Sequence, residues 1–97
     1  MSLVPALCQA LAFVRAGKIH EAVTVYEDRG HASLHALSAA VDRRDAKLGN
    51  QLFRIHAKVE RDLASRSPHL AADLRRLIEA SSQGFRLLKV PAPPCSS

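Results

Sequence analysis

The stretch GKIHEAVTVYEDRG, residues 17–30, decides the fold because it holds one amphipathic helix between two glycines. Four apolar side chains recur at the i, i+3, i+4, i+7 spacing of a helical face: Ile19, Ala22, Val23 and Tyr26. Gly30 stands where a left-handed C-terminal cap is expected, so the helix is predicted to end there. The stretch leaves open whether this helix belongs to a small bundle or to a helical repeat.

Helical patterns continue on both sides of this stretch. An apolar helix is predicted over residues 5–16, with Ser2 as a candidate N-cap and residues 16–18 as its end. A third helix is expected near residues 31–43, and a fourth, with a long apolar stripe, reaches about Ser65. The charged joint between them, DRRDAK, contains no glycine, so a continuous helix through it stays open.

The C-terminal third is predicted to contain one more helix and a tail. Ser67 and Pro68 are a cap and a first-turn proline, so a fifth helix starts there, and SSQG is expected to close it at Gly84. The segment FRLLKV after it is too short to assign. PAPPCSS cannot form a helix and is predicted to be a disordered Pro/Ser tail over residues 91–97.

These patterns predict an all-α fold with no strand. The expected architecture is four to five short antiparallel helices, arranged as a helical-hairpin repeat or a small bundle. They form a single helical domain over residues 1–90.

The opening stretch and the residues before it resemble a helix pair of tetratricopeptide or pentatricopeptide repeats. Gly17 would be the turn, Ala10 and Phe13 the packing residues of the first helix, and Ala22 and Tyr26 the small–aromatic pair of the second. A fainter echo follows, with Val41 for Val14, Gly49 for Ala22 and Phe53 for Tyr26. Its offset is shorter than the family period of about 34 residues. The resemblance covers about half of the chain and implies a repeat fold that holds a partner.

The composition is that of a globular chain with excess positive charge. The 97 residues are 47% hydrophobic and 24% charged, and the formal net charge is +5. This excess favours an anionic partner such as nucleic acid, anionic lipid or an acidic protein. The N-terminus lacks the basic region of a signal peptide, and its apolar run is too short to span a bilayer. A soluble, cytoplasmic protein is therefore expected.

No residue pattern indicates an enzyme. The chain contains no phosphate-binding loop, paired-carboxylate site or serine elbow. Cys8 lies in an apolar helix, where a thiol behaves as a small hydrophobe. With only Cys8 and Cys95 present, a reducing compartment is favoured, and a disulfide requires the two ends of the chain to meet. No catalytic residue and no cofactor are predicted.

The histidines do not predict a metal site. Glu27, His31 and His35 are spaced one helical turn apart, which can hold a divalent cation only if one helix runs through all three. The glycine that ends the opening stretch is expected to break that helix, so solvent-facing histidines are predicted. His56 and Glu60 are likewise expected to be an exposed helical pair.

The first functional hypothesis is a non-enzymatic protein–protein interaction module, such as a small adaptor, a chaperone or a subunit of a larger assembly. Its basis is the first helix, which has more apolar faces than a small fold needs to cover. Leu3, Leu7, Leu11 and Val14 are the expected contacts with a protein partner or a second copy.

The alternative hypothesis is a basic helical module that binds nucleic acid, RNA in particular. Lys47, Gln51, Arg54, Lys58 and Arg61 form one stripe along the fourth helix, about 120° from its apolar stripe. Its cations are predicted to track a phosphate backbone. A solvated charged face is the other interpretation of the same stripe.

Overall fold

The computed structural model describes residues 3–91 and Cys95. In this part the chain forms α1 (Leu3–Arg15), α2 (Ile19–Val25), a π-helical segment (Tyr26–Gly30), α3 (His31–Arg44), α4 (Ala46–Ser65) and α5 (Leu70–Leu87). These residues contain no strand, so the predicted all-α class is confirmed. The proposed cap Ser2 and most of the predicted tail lie outside the described residues.

Gly17 ends α1 as the sequence predicts. Its backbone adopts a φ of +76°, a conformation that residues with a β-carbon rarely enter. Around this turn the Lys18 amide donates to the Phe13 carbonyl at 2.8 Å, and the Gly17 amide donates to Val14 at 3.0 Å. These bonds satisfy the free carbonyls of the last turn, so the chain reverses and α2 packs back against α1.

Gly30 does not end a helix, so the predicted break there is wrong. Its backbone stays helical, with φ −104° and ψ −43°, and α2, the π-helical segment and α3 follow one another without a break. The His31 amide donates to the Tyr26 carbonyl, five residues back, which is the bond that defines a π turn. One helix therefore runs from Ile19 to Arg44, with one wide turn in its middle.

The break lies instead at Asp45. Its backbone is extended, with φ −150° and ψ 94°, and its carboxylate accepts a hydrogen bond from the Leu48 amide at 3.1 Å. This is an aspartate N-cap, which satisfies one of the free amides at the start of α4. α3 and α4 are thus two separate helices that form a tight hairpin.

α4 ends where the sequence predicts, but α5 begins at Leu70, two residues after the expected start at Pro68, and its end also differs from the prediction. α4 stops at Ser65, where Arg66 takes a left-handed conformation, and the Ser67 hydroxyl accepts from the His69 amide at 3.1 Å. α5 then runs through Gly84 to Leu87, so the predicted end at Gly84 is wrong. A β-carbon at Gly84 would lie 3.0 Å from Val41 Cγ2, so this glycine allows α5 to pack closely on α3.

The helices enclose one apolar core. α4 packs against α3 and α5, while α1 packs against α2 and α5. α3 and α4 pack closely at Gly49, where an added β-carbon would lie only 2.7 Å from Asp42 Cα. This close approach brings the facing side chains of α3 and α4 within hydrogen-bonding distance farther along the hairpin.

Candidate functional site

The apolar residues of α1 proposed as a partner surface point into the core. Leu3 and Leu7 are fully buried, Leu11 is 7% exposed, and Val14 is half-buried at the core edge. α2 and α5 pack against α1 and cover this face. The expected surplus of apolar surface on α1 is therefore wrong for three of the four residues, because the protein's own helices already bury them.

The basic stripe of α4 divides into two parts. Lys47, Gln51 and Arg54 are exposed and line a groove of about 680 Å³, to which α5 contributes Arg76. Asn50 and Ile55 complete the lining, so no acidic side chain lines this groove among the described residues. Three cations therefore face one open groove. Arg61 is also exposed but does not line it.

Lys58, the fourth cation of the stripe, is engaged by two carboxylates. Its ammonium lies 3.0 Å from Asp73 Oδ2 on α5 and 3.6 Å from Asp62 Oδ1 one turn along α4. Arg76 Nη1 approaches the other oxygen of Asp73 at 3.5 Å. Lys58 therefore links α4 to α5, and is less available to an external anion than Lys47 or Arg54.

Asp62 and Asp73 are two acidic side chains that both contact Lys58. They are 5% and 3% exposed. Burial and the neighbouring Asp73 raise the pKa of Asp62, whereas the interaction with Asp62, together with Lys58, lowers the pKa of Asp73. The pair thus retains one proton on Asp62 more readily than two separate carboxylates would. We call Lys58, Asp62 and Asp73 the carboxylate cluster.

On the side of α4 that faces α3, three histidines and one glutamate come together. His31 and His35 lie one turn apart on α3, and His56 and Glu60 lie one turn apart on α4. The ring centroids of His31 and His35 are 4.5 Å apart, and those of His35 and His56 are 4.9 Å apart. We call these four residues the histidine cluster.

Glu60 Oε2 is the centre of this cluster. It lies 3.2 Å from His31 Nδ1 and 3.2 Å from His56 Nε2, and it accepts a hydrogen bond from the Tyr26 hydroxyl at 2.9 Å. Burial, reinforced by this bond to Glu60, raises the pKa of Tyr26, so the phenol remains a donor. Among the described residues, Glu60 has no lysine or arginine partner.

The predicted exposure of the His56–Glu60 pair is wrong. His56 is 5% exposed, and Glu60 is half-buried. Burial lowers the pKa of His56, with smaller contributions from His35 and His31 in the same direction, while Glu60 opposes the shift. His56 is therefore held toward its neutral form, in which one ring nitrogen has a lone pair for a ligand.

The set Glu27, His31 and His35 considered from the sequence forms only in part. One helix does run through all three residues, yet Glu27 stays exposed and is replaced by Glu60 in the group of converging ligand atoms. The sequence pattern does not reveal the cluster, because its two halves belong to different helices. The signal was a pair of matching spacings, His–x–x–x–His and His–x–x–x–Glu, on either side of a hairpin.

Cys8 and Cys95 form a disulfide, with their Cα atoms 5.7 Å apart. The two ends of the chain therefore meet, which is the condition that the sequence analysis set for this bond. The sequence favoured a reducing compartment, in which both thiols would stay free, and the Cys8–Cys95 bond contradicts that expectation. The bond attaches the segment after α5 to the outer side of α1.

Comparison of the chain with family models, curated proteins and solved structures gave no match. No repeat family is therefore identified, and the resemblance to tetratricopeptide repeats stays a prediction. Within the described residues, none of the helices is both long enough and apolar enough to cross a membrane.

Proposed function

We propose that this protein is a non-enzymatic binding module that holds a nucleic acid in the groove between α4 and α5. The observation that carries the proposal is the convergence of Lys47, Arg54 and Arg76 on one groove without an acidic lining residue. Cations in such an arrangement attract the phosphates of a nucleic-acid backbone and release its counterions.

The surroundings of the groove favour binding of an external anion over neutralisation of its cations by the protein's own carboxylates. Lys47 and Arg54 form no ion pair among the described residues, and the Arg76 side chain is 68% exposed despite its contact with Asp73. The net charge of +5 adds a long-range attraction for the same partner. Because no aromatic side chain lines the groove, contacts to the backbone rather than base stacking would dominate.

The test is the salt dependence of binding to a generic single-stranded RNA and to a DNA duplex. In the triple variant Lys47→Gln, Arg54→Gln and Arg76→Gln, the slope of log K against log salt concentration should fall by about 2 for RNA and nearly 3 for DNA. Fluorescence anisotropy at several salt concentrations measures both slopes directly.

A matched control removes three charges elsewhere. Arg15→Gln, Lys18→Gln and Arg86→Gln change exposed residues that do not line the groove, and they lower the net charge by the same amount. This variant should keep most of the wild-type slope. An equal loss of salt-dependence slope in both triple variants would show a general charge effect and contradict binding in the groove. If the wild-type protein bound neither RNA nor DNA, the proposed function would be wrong.

A protein partner is the second candidate. Its support no longer comes from α1 but from Phe53, which is 59% exposed and is the most exposed large apolar side chain among the described residues. Affinity purification with and without nuclease separates the two candidates, because a protein partner docked on Phe53 survives nuclease treatment and is lost on Phe53→Ser. Light scattering on the same variant tests the homo-oligomer.

The cytoplasmic location remains a proposal from the sequence. The Cys8–Cys95 disulfide argues against it, since such bonds persist mainly in oxidising compartments. Mass spectrometry of the alkylated protein from its native cell distinguishes the two, because a persistent bond leaves both thiols unmodified.

A further inference from the structure

We propose that the histidine cluster is a binding site for a divalent transition-metal ion, zinc in the first place, with His31, His35, His56 and Glu60 as its ligands. The site lies between α3 and α4 and is independent of the basic groove between α4 and α5. It would join the two helices of the hairpin through one ion.

The composition of the cluster matches zinc chemistry. Imidazole nitrogens and a carboxylate oxygen are ligands that zinc prefers, and four of them complete its usual tetrahedral coordination. Imidazole-rich sites favour zinc, copper and nickel, whereas calcium and magnesium require mostly oxygen ligands. Three imidazoles and one carboxylate therefore select the transition metals.

The distances fit directly for His31, His35 and Glu60, whereas His56 lies close to Glu60 and must turn its ring to share the same ion. For bonds of about 2.0–2.1 Å, two ligand atoms of a tetrahedral zinc site lie about 3.3 Å apart. Glu60 Oε2 lies 3.2 Å from both His31 Nδ1 and His56 Nε2, and the ligand atoms of His31, His35 and Glu60 all lie within 4.8 Å of one another. His35 is exposed, and its ring packs against those of His31 and His56, so it lies next to the other proposed ligands.

The electrostatics of the cluster also favour a bound cation. Glu60 is a half-buried carboxylate without a lysine or arginine partner among the described residues, and its neighbours are three imidazoles. His56 is 95% buried by the same helices, and its Nδ1 has no hydrogen-bond partner. A divalent ion would neutralise Glu60 and take a lone pair from each ring.

Tyr26 holds the carboxylate in place for this role. Its hydroxyl donates to Glu60 Oε2 at 2.9 Å from the π-helical segment, next to the turn where α3 begins. Hydrogen bonds of this kind orient metal ligands from the second layer. Wide π turns often occur at functional sites, and this one directly precedes the helix that carries both His31 and His35.

The test is zinc binding by the full-length protein, produced without a polyhistidine tag, freed of metal with a chelator and kept oxidised so that the cysteines do not compete. Calorimetry should show one equivalent of zinc bound. Cobalt added in place of zinc should give the intense visible absorption of tetrahedral coordination. In His35→Ala and Glu60→Gln the affinity should fall by more than about 100-fold, because a ligand matters more than the residues that orient it.

His20→Ala and His69→Ala are the matched controls, since both histidines are exposed and lie outside the cluster. These variants should bind zinc as the wild type does. A histidine NMR spectrum adds a readout without any substitution: zinc should shift the ring signals of His31, His35 and His56 but not those of His20 and His69. No binding by the wild type, unchanged binding in His35→Ala and Glu60→Gln, or equal shifts of all five histidines would overturn the proposal.

Discussion

The two polar clusters of this protein use the same helix in different ways. Toward α5, α4 presents Asp62 and Lys58, which meet Asp73 and form a cluster that contains its own cation. Toward α3, it presents His56 and Glu60, which meet two further histidines but no lysine or arginine among the described residues. The carboxylate cluster contains its own cation, Lys58. In the histidine cluster, the partners of Glu60 among the described residues are imidazoles and a phenol.

The difference supports the histidine cluster, rather than the carboxylate cluster, as the proposed ligand site. Buried carboxylates need compensation, and Lys58 supplies it on the α5 side by contacting both Asp73 and Asp62. On the α3 side, the partners of Glu60 among the described residues are the His31 and His56 rings and the Tyr26 hydroxyl, so a bound cation would supply the charge that Lys58 supplies at the other cluster. We interpret the carboxylate cluster as structural, because Lys58 balances its negative charge. We interpret the histidine cluster as a binding site, because an added cation would balance the charge of Glu60.

Zinc should therefore stabilise the fold through the histidine cluster alone. At a free zinc concentration about a thousandfold above its dissociation constant, the gain in unfolding free energy is about 4 kcal/mol. Thermal denaturation with and without zinc measures this gain. Glu60→Gln should abolish it and Asp62→Asn should retain it. Loss of the gain in both variants would contradict the distinction between the two clusters.

A second test of the difference between the two clusters uses the close approach of α3 and α4 at Gly49. Gly49→Ala should lower the free energy of unfolding by about 1–3 kcal/mol, because the new β-carbon would lie 2.7 Å from backbone at Asp42. It should also weaken zinc binding by forcing the hairpin apart, while leaving the α4–α5 contacts in place. Chemical denaturation and calorimetry measure the two effects.

Gly30→Ala is the matched control for this substitution. Its β-carbon would meet Tyr26 and Leu7 only at 3.8 and 3.9 Å, which are ordinary contact distances. Because alanine favours a helix over glycine by about 1 kcal/mol, this variant should be as stable as the wild type or more stable. A large destabilisation would mean that the helix from Ile19 to Arg44 is not continuous at Gly30.

The glycines also explain how much of the fold the sequence could predict. Periodicity identified every helix, and Gly17 ended α1 as expected, because its left-handed backbone is a local requirement. Gly84 lies inside a helix since α3 passes close to it, which no local pattern can reveal. The break at Asp45 depended on a side-chain cap competing with helix continuation, so the sequence left both outcomes open.

The candidate sites show the same limit more strongly. The α4 stripe was visible in the sequence, but Arg76 joins it only through packing of α5, and Lys58 leaves it for Asp73. The apolar face of α1 was identified correctly, yet its burial depends on α2 and α5. Pattern analysis gives the face of each helix, and tertiary packing decides whether that face is core, ion pair or surface.

Tyr26→Phe tests the support of the histidine cluster by a smaller change. Loss of the hydroxyl removes the hydrogen bond to Glu60 at 2.9 Å, with an expected cost of about 1 kcal/mol in unfolding free energy. Zinc affinity should fall about 10- to 100-fold, as for other residues that orient a metal ligand. A loss of stability with unchanged zinc affinity would assign Tyr26 to packing alone.

The smallest expected effect is the pH dependence of stability without metal, since it rests mainly on one imidazole. The pKa of His56 is lowered in the folded protein by burial, with His35 and His31 adding to the shift and Glu60 opposing it. In the unfolded chain, His56 keeps its ordinary pKa of 6.5 and takes up a proton more readily than it does in the folded protein. The free energy of unfolding should therefore fall as the pH is lowered from about 7.5 to 5.5.

Chelator-treated protein and thermal denaturation at several pH values measure this decrease. His56→Gln should flatten it, because glutamine cannot take up the proton. Asp62→Asn should not flatten it: the raised pKa of Asp62 favours the folded protein as the pH falls, which is opposite in sign to the effect of His56. If Asp62→Asn flattens the curve instead, the proton that matters near neutral pH belongs to the α5 side of α4, and the self-compensation assigned to that cluster is wrong.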